Sequence, residues 1–450
     1  MRPEHRKYAL AEVPRYTSYP TAVQFGGSVD ETHYRAWLAQ IKPDAPLSLY
    51  VHIPFCRQMC WYCGCHTSVA HSYDRVGVYV QDLLAEIALL AAALPAGHGG
   101  LAHVHFGGGS PTLLRDEDFA AITSRISSAF GVRADMELAV EIDPRTMSAQ
   151  KAAALAAAGV TRASLGVQDF NAHVQRKINR IQPYEQVRDS VNWLRNAGID
   201  AINFDLIYGL PGQSVEDVRR STGLALGLRP DRLAVFGYAH VPWFKKHQQM
   251  IDTEDLPGME ERFAQAAMVG QVLQQGGYEA IGFDHYAHPD DSMAEAAREG
   301  RLRRNFQGYT TDTADTLLGL GASSISALEP GYAQNAPSLD TWRNAIHEGR
   351  LPVVRGVPLR GEDGLRRAAI MMLMSAMELD AAALCAQFGY PENALDDALG
   401  KLAPLQADGL VQLDGRTVRI AHDGRIFVRN IAACFDAYWQ SSAGRHSRAV

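Results

Sequence analysis

Four of the six cysteines in this 450-residue chain lie within ten residues: Cys56, Cys60, Cys63 and Cys65. Thiolates are soft ligands that suit both iron–sulfur clusters and zinc. In a chain without a signal peptide, such a tight group indicates metal binding or redox chemistry rather than a disulfide framework. Cys385 and Cys434 lie apart in apolar stretches, and we interpret them as core residues.

The spacing of the grouped cysteines bears on which metal centre they bind. Steps of four and then three residues let one loop direct Cys56, Cys60 and Cys63 at three corners of a cubane. Structural zinc sites usually draw on two separated cysteine pairs, and the chain has no second pair. The arrangement favours an iron–sulfur cluster with one iron open to a further ligand, with zinc as the alternative.

The elements that position this loop are predicted from hydrophobic periodicity. Six apolar runs are predicted strands, at 47–53, 102–106, 136–142, 162–168, 201–207 and 232–238, and a run at 279–287 extends the series. Segments of helical period lie between them, which predicts parallel strands with helical crossovers. We therefore predict an α/β fold, a partial (β/α) barrel over residues 46–345, with an open doubly wound sheet as the alternative. The cysteines follow the first strand, at the barrel end where ligands bind.

The two ends of the chain have a different pattern. Residues 1–45 include the aromatic stretch PRYTSYPTAVQF, which lacks helical period and predicts an extended arm lying on the main domain. Residues 346–450 predict a mainly helical domain with a long helix, GLRRAAIMMLMSAMEL, and a small hairpin that turns at Asp414-Gly415. A last helix is predicted over VRNIAACFDAYW.

A glycine-rich segment, HFGGGSPTLL, follows the second predicted strand. Gly107, Gly108 and Gly109 allow positive φ angles and a close approach of a ligand to the backbone. No Gly-Lys-Ser/Thr follows, which excludes a P-loop.

Composition excludes several classes of function. The formal net charge of −7 argues against a nucleic-acid-binding protein. The N-terminus has no apolar signal region, and the apolar stretch around residues 79–97 is interrupted by Asp82 and Glu86. We therefore expect a cytoplasmic protein without a membrane span.

Several motifs together resemble the oxygen-independent coproporphyrinogen III oxidase family of radical S-adenosylmethionine (SAM) enzymes. They are RYTSYPTA (15–22), YVHIPFC (50–56), the C-x3-C-x2-C-G-C loop (56–65), FGGGSPT (106–112), EIDPR (141–145), LGVQDFN (165–171), NFDLIYGLPGQ (203–213), FGYAHVP (236–242) and RRNFQGYTT (303–311). The resemblance implies a [4Fe–4S] cluster on the first three cysteines, whose open iron binds SAM and yields a 5′-deoxyadenosyl radical. It also implies decarboxylation of two propionates of coproporphyrinogen III to vinyl groups in heme biosynthesis, giving protoporphyrinogen IX.

The same resemblance implies two SAM molecules and the residues that contact them. The cluster-bound SAM is expected to contact Tyr50, Tyr62, Gly108, Glu141 and Ala239. The second is expected to contact Gly109, Ser110, Gln168, Arg180, Asp205 and Ile325. Cys65 is expected to be required for activity without binding the cluster.

The resemblance further implies an external electron donor and acceptor, a monomer, and basic partners for the substrate carboxylates. Arg15, Arg303 and Arg304 are candidates for these partners. One rival hypothesis is a heme-binding chaperone, but such relatives typically lack the fourth cysteine and the RRNFQGYTT segment. Another is a radical SAM enzyme that opens or methylates heme.

Overall fold

The structure is a computed structural model that describes residues 2–439. All six predicted strands are present and neighbours pair in parallel. Numbered in chain order within the main sheet, they are β1 Leu47–Ile53, β2 Leu101–Gly108, β3 Val132–Ile142, β4 Arg162–Gln168, β5 Ala201–Tyr208 and β6 Arg232–Gly237. Their crossover helices are Asp74–Ala93, Asp116–Phe130, Ala149–Ala157, Tyr184–Asn196 and Val215–Gly227. The predicted partial (β/α) barrel is confirmed.

The seventh apolar run is not one strand. It forms β7 Glu279–Ile281 and β8 His285–Ala287, an antiparallel pair in which β8 lies against β6. Gly282 begins the turn with a φ of +57°, a left-handed conformation that interrupts an extended run at low cost. The hairpin ends the series of parallel strands.

Four further strands, which we did not predict, extend the sheet on the other side of β1. They are β9 Thr316–Leu320, β10 Ile325–Leu328, β11 Gly331–Asn335 and β12 Val353–Pro358. β9 is parallel to β1, and the others follow as antiparallel neighbours. The sheet thus has twelve strands in the order β12-β11-β10-β9-β1-β2-β3-β4-β5-β6-β8-β7. Because it continues to Pro358, the predicted domain boundary at 345 falls too early, inside the helix Leu339–His347.

The arm is less extended than predicted. It contains the helices Arg6–Leu10 and Glu31–Leu38 beside irregular segments. Tyr16 and Tyr19 are buried in the hydrophobic cluster of the C-terminal domain, whereas Tyr34 is buried in the core of the main sheet, so the arm packs on both. Arg429 of that domain donates hydrogen bonds from Nη2 to the Val13 carbonyl (2.6 Å) and from Nε to the Pro14 carbonyl (3.1 Å).

The C-terminal domain follows the predicted pattern over its described residues, and 440–450 lie outside them. Its helices are Asp363–Ala376, Ala381–Gln387, Asp396–Gly400, Ala403–Ala407 and Val428–Ala433. The hairpin Val411–Asp414/Thr417–Ile420 turns where predicted, and Glu378–Asp380 adds a third strand. The last helix is shorter than predicted.

The remaining α-helices among the described residues lie on the barrel side. They are Ala172–Lys177, Met259–Gln275 and Ser292–Arg298.

The helix Asp74–Ala93 is, within residues 2–439, the single one whose length and apolarity would suffice to cross a membrane. Its two interior acidic residues, Asp82 and Glu86, are buried and bonded within the protein. Arg343 donates to Asp82 at 2.8 Å, and Asn335 Nδ2 donates to Glu86 at 2.7 Å. The helix therefore belongs to the core, as its sequence predicted.

Candidate active site

The cysteine loop lies at the carboxyl end of β1, as predicted. It begins at the short strand Phe55–Cys56, which pairs in parallel with Ser68–Val69 and closes the loop at its base. Cys60 is buried, whereas the Cys65 side chain is exposed. One loop fixed at both ends thus presents all four sulfurs.

Each predicted cluster ligand has a hydrogen-bonding neighbour at its sulfur. Cys56 Sγ lies 3.2 Å from Thr67 Oγ1, and the Cys65 backbone N–H donates to Cys63 Sγ at 3.4 Å. Arg145 Nη2 and Arg180 Nη1 donate to Cys60 Sγ at 3.4 and 3.5 Å. Donors around thiolates stabilise their negative charge and adjust the properties of a bound cluster.

The cysteines differ in acidity. Burial raises the pKa of Cys56 to about 11. The pKa of Cys63 is lowered, because the Cys65 side chain and backbone N–H both hydrogen-bond to its sulfur, and that of Cys65 is raised by the same interaction. That Cys65 is not a ligand stays a prediction.

Two arginines beside Cys60 make the site suitable for an anionic group. Both donate to the Asp143 carboxylate, Arg145 at 2.7 Å and Arg180 at 3.4 Å. Arg145 Nη1 and Arg180 Nε are buried and have no hydrogen-bond partner among the described residues. Buried donors normally have acceptors. The unused N–H groups therefore fit an anionic cluster and the carboxylate of SAM.

The segment after β6 holds the cysteine loop through its carbonyls. Lys245 Nζ donates to the Cys65 carbonyl at 2.9 Å, and His247 Nε2 to that of Cys63 at 2.7 Å. Gln248 Nε2 donates to the carbonyls of Tyr62 (2.9 Å) and Ala239 (3.3 Å). Sequence reasoning missed these three side chains and Arg145. Their positions just after barrel strands were the available signal.

The glycine-rich segment packs directly on the cysteine loop. The N–H groups of Gly109 and Ser110 donate to the carbonyls of Ile53 and Phe55, both at 2.8 Å. A Cβ on Gly109 would lie 2.5 Å from the Phe55 oxygen, so only glycine fits there. Ser110 is buried and its Oγ lies 3.2 Å from Thr112 Oγ1. The backbone N–H groups of Gly109 and Ser110 thus both donate within the protein.

Residues predicted for the first SAM form two neighbouring groups. Gly108 N–H donates to Glu141 Oε2 at 3.1 Å. Burial raises the pKa of half-buried Tyr50, and the charge of Glu141 adds to the rise. A Cβ on Gly107 would lie 2.7 Å from Glu141 Oε1 and 3.0 Å from Tyr50 Cε2, so both side chains face the same interior. Tyr62 and Ala239 are joined through Gln248, as described above.

Residues predicted for the second SAM are only partly brought together. Arg180 Nη2 donates to the Gly166 carbonyl at 2.6 Å, two residues before Gln168, whose φ is +68°. Burial raises the pKa of Asp205 to about 7, and the charge of Glu141 adds to the rise. Ile325, on β10, lies beyond β1 from the others. A ligand that contacts Ile325 and Asp205 would have to span the barrel interior.

A cavity of about 1730 Å³ opens beside the carboxyl ends of β5 and β6. The arm, the helix Met259–Gln275, the β7–β8 hairpin, the hairpin Arg303–Asn305/Gly308–Thr310 and the C-terminal domain complete its walls. Ala239 is shared with the predicted SAM site. The arginines in its lining are Arg2, Arg15, Arg262, Arg304, Arg425 and Arg429. Of the basic candidates, Arg15 and Arg304 line the cavity, whereas Arg303 pairs with Asp315 at 2.8 Å.

Comparison with known proteins agrees with this geometry. The Radical SAM superfamily matches residues 50–225. The chain is 47% identical over 443 residues to the oxygen-independent coproporphyrinogen III oxidase of Bradyrhizobium diazoefficiens, covering 98% of each. It is 39% identical to that of Salmonella typhimurium, covering 96% of this chain and 94% of the relative.

A solved structure resembles the whole chain. Coproporphyrinogen III oxidase from Escherichia coli, a radical SAM enzyme, superposes with a TM-score of 0.91 at 38% identity. The match covers 96% of this chain and 100% of that one. The resemblance thus includes the barrel and the regions that enclose the cavity. This chain belongs to the oxygen-independent coproporphyrinogen III oxidase family of the radical SAM superfamily.

Proposed function

We propose that this protein converts two propionates of coproporphyrinogen III to vinyl groups, giving protoporphyrinogen IX without oxygen in heme biosynthesis. The observation that carries the proposal is the arginine-rich cavity that adjoins the cysteine loop. At about 1730 Å³ it exceeds the usual 300 to 1,000 Å³ or so of drug-sized pockets, and its cationic lining suits a large polycarboxylate. Relatives of the same length bear the name of this activity.

A [4Fe–4S] cluster and SAM, when bound, supply a 5′-deoxyadenosyl radical that removes a hydrogen atom from the propionate β-carbon. Cys56, Cys60 and Cys63 would hold the cluster and leave one iron for SAM. Arg145 and Arg180 donate to Cys60 Sγ and keep further N–H groups available for an anion. The protein's part is to orient these groups and exclude water from them.

We also propose that two SAM molecules bind. The support for two molecules is that the predicted contact residues lie on both sides of Glu141. Tyr50 and Gly108 lie on one side, and Asp205 lies on the side of β4 and β5. Both sets face the barrel interior, where Glu141 and Asp205 carboxylates can accept hydrogen bonds from ribose hydroxyls or an ammonium group.

The electron balance requires external partners. Loss of one hydrogen atom and CO2 from a propionate leaves one electron per vinyl group, which an external acceptor must take. A separate donor must reduce the cluster before each cycle. We further propose that the protein acts as a monomer in the cytoplasm, without nucleic acid or membrane.

The heme chaperone is the alternative hypothesis. Cys65 and the RRNFQGYTT segment oppose it, because chaperone relatives typically lack both. In this chain Cys65 adjoins Cys63, and Arg304, Phe306, Gln307 and Gly308 line the cavity. Cys65 thus lies beside a predicted cluster ligand, and the segment lies at the cavity proposed for the substrate. A radical SAM enzyme that modifies heme is the third candidate, and its product would differ.

The test uses anaerobically reconstituted protein with SAM, a reductant and coproporphyrinogen III. Chromatography of the tetrapyrroles should show the mono-vinyl intermediate and then protoporphyrinogen IX. The matched control is Cys60→Ser protein treated in the same way. Tight heme binding without any vinyl product would support the chaperone, and a modified heme would support the third candidate.

A further inference from the structure

Arg304 occupies an unusual position in the cavity wall. It lies on the strand Arg303–Asn305, and its guanidinium is 4.6 Å from the centre of the Tyr309 ring and 5.2 Å from that of Phe283. Cation–π contacts of this kind hold a guanidinium in place without using its N–H groups. Nε and Nη1 are buried and have no hydrogen-bond partner among residues 2–439. The side chain is thus held in the cavity wall, and the described residues supply no acceptor for these two N–H groups.

The surroundings of Arg304 are rich in positive charge. Arg15 and Arg429 also line the cavity, and mutual repulsion contributes to lowering the pKa of both. Burial is the larger cause in each case, although Arg15 exposes part of its side chain to the cavity. The nearby carboxylate of Asp284 already accepts a hydrogen bond from His285 Nδ1 at 2.7 Å. Among the described residues, six arginines and only three carboxylates, those of Glu12, Asp284 and Asp423, line the cavity.

We infer that Arg304 binds a propionate that the tetrapyrrole keeps in the product. The inference rests on the proposed function and specifies which substrate carboxylates the cationic wall, formed by Arg15, Arg304 and Arg429, binds. A propionate that reacts loses its negative charge as CO2 leaves. An ion pair to that propionate would stabilise the substrate more than the transition state and would slow the reaction. A retained propionate has no such conflict, so the cationic wall is suited to anchoring it.

Arg303 provides a matched control. It adjoins Arg304 in sequence and has the same charge, but its guanidinium is exposed and pairs with Asp315. It does not line the cavity. Replacing either arginine by glutamine changes the net charge of the protein equally. A difference between the two variants therefore reports on the cavity alone.

The experiment measures anaerobic binding of coproporphyrinogen III and protoporphyrinogen IX to the cluster-loaded protein. Arg304→Gln should weaken binding of both compounds by the same factor, about 10- to 100-fold for a lost charge-assisted hydrogen bond. Arg304→Lys should recover part of the loss, and Arg303→Gln should bind like the unaltered protein. Weakened binding of coproporphyrinogen III alone would mean that Arg304 holds a reacting propionate. Unchanged binding of both would also overturn the inference.

Thermal unfolding separates binding from a structural role. Without tetrapyrrole, Arg304→Gln should unfold close to the temperature of the unaltered protein, because repulsion from Arg15 and Arg429 opposes the attraction between Arg304 and Asp284. A clearly lower temperature shared by Arg304→Lys would make Arg304 a structural residue and contradict the inference. If the unaltered protein binds both tetrapyrroles but forms no vinyl product, the proposed reaction fails while the binding role stands. If it binds neither, both fail.

Discussion

Glu86 and Arg304 both carry buried polar atoms, and their surroundings differ. The Glu86 carboxylate accepts hydrogen bonds from Gly321 N–H (2.8 Å), Asn335 Nδ2 (2.7 Å) and Trp342 Nε1 (3.2 Å). Arg304 keeps two buried N–H groups without a partner in the described chain. The first network joins the helix Asp74–Ala93 to the β9–β11 region and is complete without a ligand. The second leaves two N–H groups without an acceptor among the described residues.

The contrast extends beyond these two residues. Nine buried side-chain atoms in the described residues lack a hydrogen-bond partner, and five of them belong to Arg145, Arg180, Arg304 and Gln307. These four residues adjoin Cys60 or line the cavity. Because an unsatisfied buried donor lowers stability, a group of them marks where a ligand completes the structure. Changes in the core should therefore alter stability, and changes in the site should alter binding.

The largest expected effect comes from the cysteines. Cys56→Ser, Cys60→Ser or Cys63→Ser should reduce the cluster content of reconstituted protein to background and abolish turnover. Cys65→Ser should retain the iron and lose turnover, because Cys65 is predicted to act beside the cluster without binding it. Iron analysis and absorption spectra of the four variants test this. An empty site in Cys65→Ser would show that the ligand assignment is wrong.

Replacement of Glu86 should have the next largest effect, on stability. Glu86→Ala leaves three donors unsatisfied and opens space in the core, which should lower the free energy of unfolding by about 2 to 4 kcal/mol. Denaturant unfolding measures the loss. SAM affinity of the folded protein should not change. Glu86→Gln, which keeps an acceptor and the volume, should lose less. Equal losses in both variants would contradict the hydrogen-bonding explanation.

Replacement of Arg180 should change SAM affinity, which replacement of Glu86 should leave unaltered. Arg180→Gln removes the guanidinium next to Cys60 together with its unpartnered Nε. We expect SAM binding to the cluster-loaded protein to weaken about 10- to 100-fold, since a charge-assisted hydrogen bond is lost. Equilibrium binding checks this, with Arg188→Gln on an exposed helix face as a charge-matched control. Unchanged SAM affinity would remove Arg180 from the predicted SAM residues.

The smallest effect concerns pH. Burial and Glu141 raise the pKa of Asp205 from 3.8 to about 7, so the folded protein holds this proton more tightly than the unfolded chain. The contribution of Asp205 to stability is therefore lost as pH rises from about 4 to about 7. Asp205→Asn should raise the unfolding temperature of SAM-free protein at pH 8 relative to the unaltered protein, with little difference at pH 4. A gain that is the same at both pH values would exclude titration of Asp205 as its cause.

The parallel strands could be predicted because each is a nearly continuous apolar run followed by a helical segment. β1 and β4 begin and end where the periodicity placed them. β9 to β12 could not be predicted in this way. β10 has only four residues, ISAL, and Ser326 and Ala327 separate its two large apolar side chains. The strand therefore shows no alternation of apolar and polar residues. Such short strands are stabilised by pairing with a neighbour, which a local pattern does not contain.

The sequence by itself predicted an iron–sulfur centre and the end of the barrel where its cysteine loop lies. Three thiolates on one short loop after an apolar strand have few other uses. Only the tertiary structure decided what surrounds that loop. Arg145, Lys245 and Gln248 are far from the cysteines along the chain, and they reach them because parallel strands end at the same edge of the sheet. The cavity likewise exists only where arm, barrel and C-terminal domain meet, since no single segment supplies its arginines.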